Sequence, residues 1–172
     1  MKEINVVLAE TDDERRNHDD FHAFMNMDGS LTEQGEVLAG FVLRLLAKAC
    51  FVNSFNHGWY EPYMNGDEIG QRNFGEVIAL INSEAAEAFE EYRNGDDQTK
   101  IYYSYASDAP KQEGPDGITV FGKPEGIAAE FADIFIRALD YVGAYNVPLD
   151  EALIQKHKYN LSRPYRHGNK KA

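Results

Sequence analysis

The sequence predicts an all-α fold: a helical bundle of about four to five helices, with a short β-hairpin-like excursion between two of them. Three observations predict it. Residues 74–92 and 125–141 are rich in Ala, Glu and aliphatic side chains and contain no internal proline. A third stretch, from about Leu31 to about Asn53, repeats apolar residues at helical spacing. Residues 94–123, between the first two stretches, shift to Gly, Asp and Pro around short β-prone runs.

Ser30, with Glu33 three residues on, reads as a capping box that opens the first helix. Val37, Leu38, Phe41, Val42, Leu45, Leu46 and Ala49 then form a broad apolar stripe. Phe55-Asn-His-Gly-Trp-Tyr60 leaves the helix, and Pro62 with Asn65-Gly66 closes a loop. Trp59, the only tryptophan, has two readings: it fills a gap at the helix end, or it offers a stacking face to a planar base.

The stretch 74–92 carries the chemistry. At about 100° per residue, Glu84, Glu87 and Glu91 share one face, while Ile78, Ile81, Ala85, Ala88 and Phe89 form an adjoining face expected to be buried. Like charges this close repel one another, and a divalent cation is the natural reason to gather them. Lys100–Tyr105 and Gly117–Phe121 read as two strands around the turn-rich segment 109–116. Pro124 suits the first turn of the next helix. In that helix Glu130 and Asp133 stand at i and i+3, with Arg137 and Asp140 further along the same face. Ile127, Phe131, Ile134, Phe135 and Leu139 supply its apolar part.

Each acidic helix alone reads as an amphipathic helix with a solvated edge. Two of them packed with their carboxylates facing make a cage of oxygens, the preference of hard cations such as Mg²⁺. Gly143 or Asn146 ends the second, and Pro148 opens a last helix to about Asn160, with Leu153 and Ile154 inward. Lys156 and Asn160 share one face of it, and Arg163 follows before Pro164.

A chain of 172 residues is one domain's worth, 1–172, with 1–30 as an N-terminal extension and 94–123 as an inserted loop or hairpin. The lone Cys50 excludes a disulfide framework and a Cys-based zinc site. The amino terminus lacks the form of a secretory signal and no apolar run spans a bilayer, so a cytoplasmic protein without a membrane partner is expected. A formal charge of −12 argues against nucleic-acid binding. It leaves room for a phosphorylated small molecule, because bound metal inverts the local field. From Lys156 onward the chain has no Asp or Glu, and Lys156, Lys158, Arg163, Arg166, Lys170 and Lys171 are basic. His18 and His22 near Asp19 and Asp20 form a short cluster of a kind that arises by chance.

Two stretches resemble the MazG-like branch of the all-α nucleoside triphosphate pyrophosphohydrolases: Phe74–Gly95, with its Glu84-x-x-Glu87, and Lys123–Asp133, with its Glu130-x-x-Asp133. The closing Lys156–Gly168, with Lys156, Asn160 and Arg163 in register, resembles that branch too, and the likeness covers roughly residues 35 to 168. The resemblance implies metal ligation by Glu84, Glu87, Glu130 and Asp133, binding Mg²⁺ or, in its place, Mn²⁺. It implies hydrolysis of a nucleoside triphosphate between the α and β phosphates, to a monophosphate and pyrophosphate. Lys156, Asn160 and Arg163 match phosphate-holding positions, and Trp59, after His57-Gly58, matches a region bordering the base. A homodimer or homotetramer is implied as well.

On the residues themselves, one of Glu84, Glu87 and Glu91 orients or deprotonates the attacking water. The rival reading is a non-catalytic helical module that binds a nucleotide or a partner. Another phosphoanhydride, such as phosphoribosyl-ATP, would suit the same core.

Overall fold

The computed structural model describes residues 21–107, 111–114, 117–120 and 122–165, with 111–114 and 117–120 described by their backbone. The cluster at His18, Asp19 and Asp20 and the basic residues Arg166, Lys170 and Lys171 lie outside the described residues. The fold is mostly helical with small β excursions. Its elements run α1 (Glu33–Asn56), a 3-10 turn (Glu61–Tyr63), β1 (Met64–Asn65), β2 (Glu68–Ile69) and α2 (Phe74–Arg93). They continue with β3 (Tyr102–Ser104), β4 (Lys111–Gly114), β5 (Gly117–Val120), β6 (Lys123–Glu125), α3 (Ile127–Tyr145) and α4 (Leu149–Leu161). Among the described residues, no helix is long and apolar enough to cross a membrane. Contacts divide the chain into two compact units, one holding the residues up to Leu46 and from Pro148 onward, the other Ala47–Val147.

In the first unit, Thr32 caps α1 rather than Ser30. The Thr32 hydroxyl accepts the Gly35 N–H at 3.1 Å and its carbonyl accepts the Glu36 N–H at 2.9 Å. Ser30 is committed elsewhere, because both its N–H and its hydroxyl donate to Asp28 Oδ1, at 2.9 and 2.6 Å. α4 forms where Pro148 predicts it. It is tied down by Lys158 on Glu36 at 2.6 Å, Arg44 on Asp150, and His157 Nε2 with the Gly29 carbonyl at 2.8 Å. The expected apolar stripe of α1 does not become core: Val37, Leu38, Phe41, Val42, Leu45 and Leu46 are all exposed. Polar ties and two buried glycines, Gly35 and Gly40, take up the unit's contacts instead.

In the second unit, Asn73 caps α2 by accepting the Gly75 N–H at 2.9 Å, and Asn94 with left-handed Gly95 (φ 85°) ends it. Pro124 is not in the first turn of α3. It lies in β6, paired with β3 as Tyr103 opposite Pro124, and a two-stranded edge tolerates its missing N–H. Gly126 makes the junction from β6 to α3. Its φ of 102° favours glycine, and a Cβ there would crowd the Lys100 carbonyl at 3.2 Å. The two runs expected to pair with each other each take another partner: β3 joins β6, and β4 joins β5 across a two-residue connection. Local closure of 114 to 117 costs less chain entropy than a pairing across the whole excursion.

Tyr60 is the most enclosed large side chain, at 1% exposure, with the Phe51 ring edge-on at 5.3 Å. Gly143 of α3 rests so close to the α1 backbone at Ala47 that a Cβ has no room. α2 and α3 make the most extensive helix packing of this unit, and the expected pattern holds there only in part: Ala88, Ile127 and Leu139 are buried as expected. Small residues, Val77, Ala88 and Ala129, are buried along with Glu84 and Glu130, while Ile78, Phe89, Phe131 and Phe135 are exposed. Glu84 and Glu130 point inward, and Glu87 stays exposed.

Candidate metal centre

Glu84 lies nearly three turns into α2, and Glu87 about one turn further on. Glu130 lies in the first turn of α3. α2 and α3 pack against each other, so carboxylates from both can meet. Oxygens of Glu84, Glu87 and Glu130 all lie within 4.8 Å of one another. Glu84 is 4% and Glu130 5% exposed, while Glu87 stands at the solvent edge. Burial pushes the Glu130 carboxyl above its usual range, the charges of Glu87, Asp133 and Glu84 push the same way, and Lys123 pulls back in part. Lys123 is itself held by Glu125 at 2.8 Å.

One cation already touches the group. Arg137 Nε donates to Glu84 Oε1 at 2.6 Å, and Nη2 reaches the same oxygen. Arg137 also lines a cleft of about 410 Å³ whose wall includes Asn53, Trp59, Arg72, Asp133 and Asp140. Asp133, Arg137 and Asp140 follow one another down a face of α3, so a row about 10 Å long connects the carboxylate end to the far wall. That length is on the scale of a nucleoside. At the far wall Asp140 accepts the Tyr60 hydroxyl at 3.0 Å and pairs with Arg72 at 3.5 Å. Burial raises the Asp140 carboxyl above its usual range, against the pull of Tyr60, Ser54 and Arg72. Burial and the neighbouring Asp140 likewise raise the Tyr60 phenol well above its usual range. Arg72 is fixed by its backbone N–H on Tyr145 at 2.7 Å and by its guanidinium over the Tyr63 ring; its Nε is buried without a hydrogen-bond partner.

The sequence-predicted residues therefore sort as follows. Glu84, Glu87 and Glu130 come together. Asp133 lies on the wall of the adjoining cleft and is not among the clustered three. Trp59 is on the same wall, with 68% of its surface open, as a stacking face would be. His57 turns back to its own helix end, with Nδ1 on the Asn53 carbonyl at 2.8 Å. Glu91 accepts the Tyr102 hydroxyl at 2.9 Å, which ties α2 to the β excursion and drives the Tyr102 phenol up to about 12. In the other unit, Lys156 and Asn160 line a groove of about 540 Å³ along α4, and Lys156 and Arg163 both lie over the Tyr159 ring, at 5.5 and 5.8 Å.

Arg137 and Asp140 were visible in the sequence as neighbours on the acidic face, but nothing there showed what they bind. Tyr60 and Arg72 carried no such signal, because they reach Asp140 only through tertiary packing. Comparison with protein-family models, curated proteins and solved structures finds no match to this chain. The reading of the site rests on its residues and their geometry.

Proposed function

We propose that this chain is a Mg²⁺-dependent nucleoside triphosphate pyrophosphohydrolase that releases a nucleoside monophosphate and pyrophosphate. The observation that carries this reading is the meeting of Glu84, Glu87 and Glu130, two of them buried, beside a cleft that bears Trp59. Buried carboxylates repel and are costly to desolvate, so three within 4.8 Å favour a cation among them. The resemblance of residues 74–95 and 123–133 to MazG-like enzymes points the same way. Bound there, the metal would neutralise phosphates and lower the pKa of a water.

In this reading Glu84, Glu87 and Glu130 hold the ion, and Asp133 extends the acidic surface toward the cleft. Trp59 covers the base. The resemblance assigns phosphate contacts to Lys156, Asn160 and Arg163. Glu87, the exposed member of the group, is the best placed to orient the water.

The exposed stripe from Val37 to Leu46, with Phe131 and Phe135 on α3, supports assembly into a homo-oligomer in which a second copy covers apolar surface. A light-scattering mass of a single 19.5 kDa chain would overturn that assembly.

A second reading has one observation in its favour: Arg137 neutralises Glu84 without any metal, as a non-catalytic binding module would need. Melting separates the two. Mg²⁺ at a hundredfold excess over its dissociation constant should stabilise the protein by about 2.7 kcal/mol. Glu87→Gln, at an exposed position that folding tolerates, should lose most of that gain. An unmoved melting temperature in the parent protein would favour the binding module.

A further inference from the structure

We infer that Arg137 is a displaceable counter-cation of the carboxylate group, and that metal binding frees it to become a phosphate-binding residue in the adjoining cleft. The inference rests on the metal-dependent reading above and adds a residue to it. Two donors of one guanidinium converge on Glu84 Oε1, and Glu84 is one of the three carboxylates that would take the ion. A metal bound to that oxygen and a guanidinium bound to the same oxygen repel each other and compete for its lone pairs. Each weakens the other's hold on Glu84.

Arg137 differs here from the other nearby cation. Lys123 is held by Glu125, which is outside the clustered three, and can stay where it is when metal arrives. Arg137 has no carboxylate but Glu84 among its described ion pairs, so losing Glu84 leaves its charge to be satisfied elsewhere. Its side chain is 39% exposed and already lines the cleft, together with Asp133 and Trp59. A triphosphate entering that cleft meets a planar fork suited to two phosphate oxygens. Metal then does two things: it occupies the carboxylates and exposes the anion-binding group that substrate needs. Binding of metal and nucleotide becomes cooperative through one side chain.

The experiment measures Mn²⁺ binding by calorimetry in the absence of nucleotide, then binding of an α,β-methylene nucleoside triphosphate at saturating Mg²⁺. It uses the full-length parent, Arg137→Met and Arg137→Lys. Removing the competitor should tighten Mn²⁺ binding by about tenfold in Arg137→Met, the worth of one charge-assisted hydrogen bond. The same variant should hold the nucleotide analogue about tenfold more weakly. Arg137→Lys, whose compact ammonium cannot fork, should fall between, and it decides the matter should the methionine variant fail to fold. Mn²⁺ binding in the variants no tighter than in the parent overturns the competition. Unchanged analogue affinity overturns the phosphate role. Absence of Mn²⁺ binding in every form, the parent included, instead overturns the metal reading of the carboxylates.

Discussion

Glu130→Gln is expected to abolish metal-dependent turnover, by roughly a thousandfold, while raising the melting temperature of the metal-free protein by a few degrees. The two effects have one cause. Glu130 is 5% exposed, and its carboxyl is pushed up first by burial and then by Glu87, Asp133 and Glu84. At neutral pH its charge is held in a place that disfavours charge, and a neutral amide of the same shape relieves that cost. A structural carboxylate would show the opposite stability change, because removing it would break a favourable pair. The check is a pair of measurements on one sample: thermal unfolding in chelator, and product formation in Mg²⁺. Loss of stability together with full activity would place Glu130 in the scaffold.

Arg72→Met is expected to cost about 3 kcal/mol at neutral pH, because it strips the cation from Asp140 while that carboxylate stays buried. Side-chain exposures of 14% for Arg72 and 9% for Asp140 put the pair in the interior, where breaking it is more costly than its net worth. The pH dependence follows from the direction of the Asp140 shift. Its folded pKa already lies above the ordinary value, mainly through burial, and losing Arg72 raises it further. A group with a raised folded pKa favours folding below its unfolded pKa and loses that contribution as pH rises through the folded one. The Arg72→Met deficit should therefore shrink as pH falls from neutral toward about 5, measured by denaturant unfolding across that range. A deficit that is constant with pH would mean that Arg72 acts through its stacking on Tyr63 and not through Asp140.

Helices were legible because their signals are local. α2 and α4 begin close to Phe74 and Pro148, where the sequence placed them, and Asn146, in the left-handed region at φ 51°, ends α3. The β excursion was legible in its position and illegible in its pairing, since strand partners depend on which loop closes at least cost. The sequence pointed to Ser30 as the cap, but its hydroxyl is taken by Asp28 and Asn26, and Thr32 caps α1 instead.

The largest departure concerns faces. Periodicity showed that Glu84 and Phe89 lie on different sides of α2, but it could not say which side meets α3. Ala88 and Ala129 are buried beside Glu84 and Glu130, while Phe89, Phe131 and Phe135 stay outside. Glu84, Glu87 and Glu130 come together there, without the Asp133 that the sequence reading placed with them. The pairing of Arg137 with Glu84 was not legible, because a basic residue on an acidic helix face has many possible partners and a sequence does not choose among them.

The most direct test of the central claim is product analysis. Purified protein, Mg²⁺ and a panel of ribo- and deoxynucleoside triphosphates are incubated, and the products are resolved by chromatography. The account predicts monophosphate and pyrophosphate in equal amounts from at least one of them, with none formed in chelator. Diphosphate with orthophosphate, or no turnover with either Mg²⁺ or Mn²⁺, would contradict it.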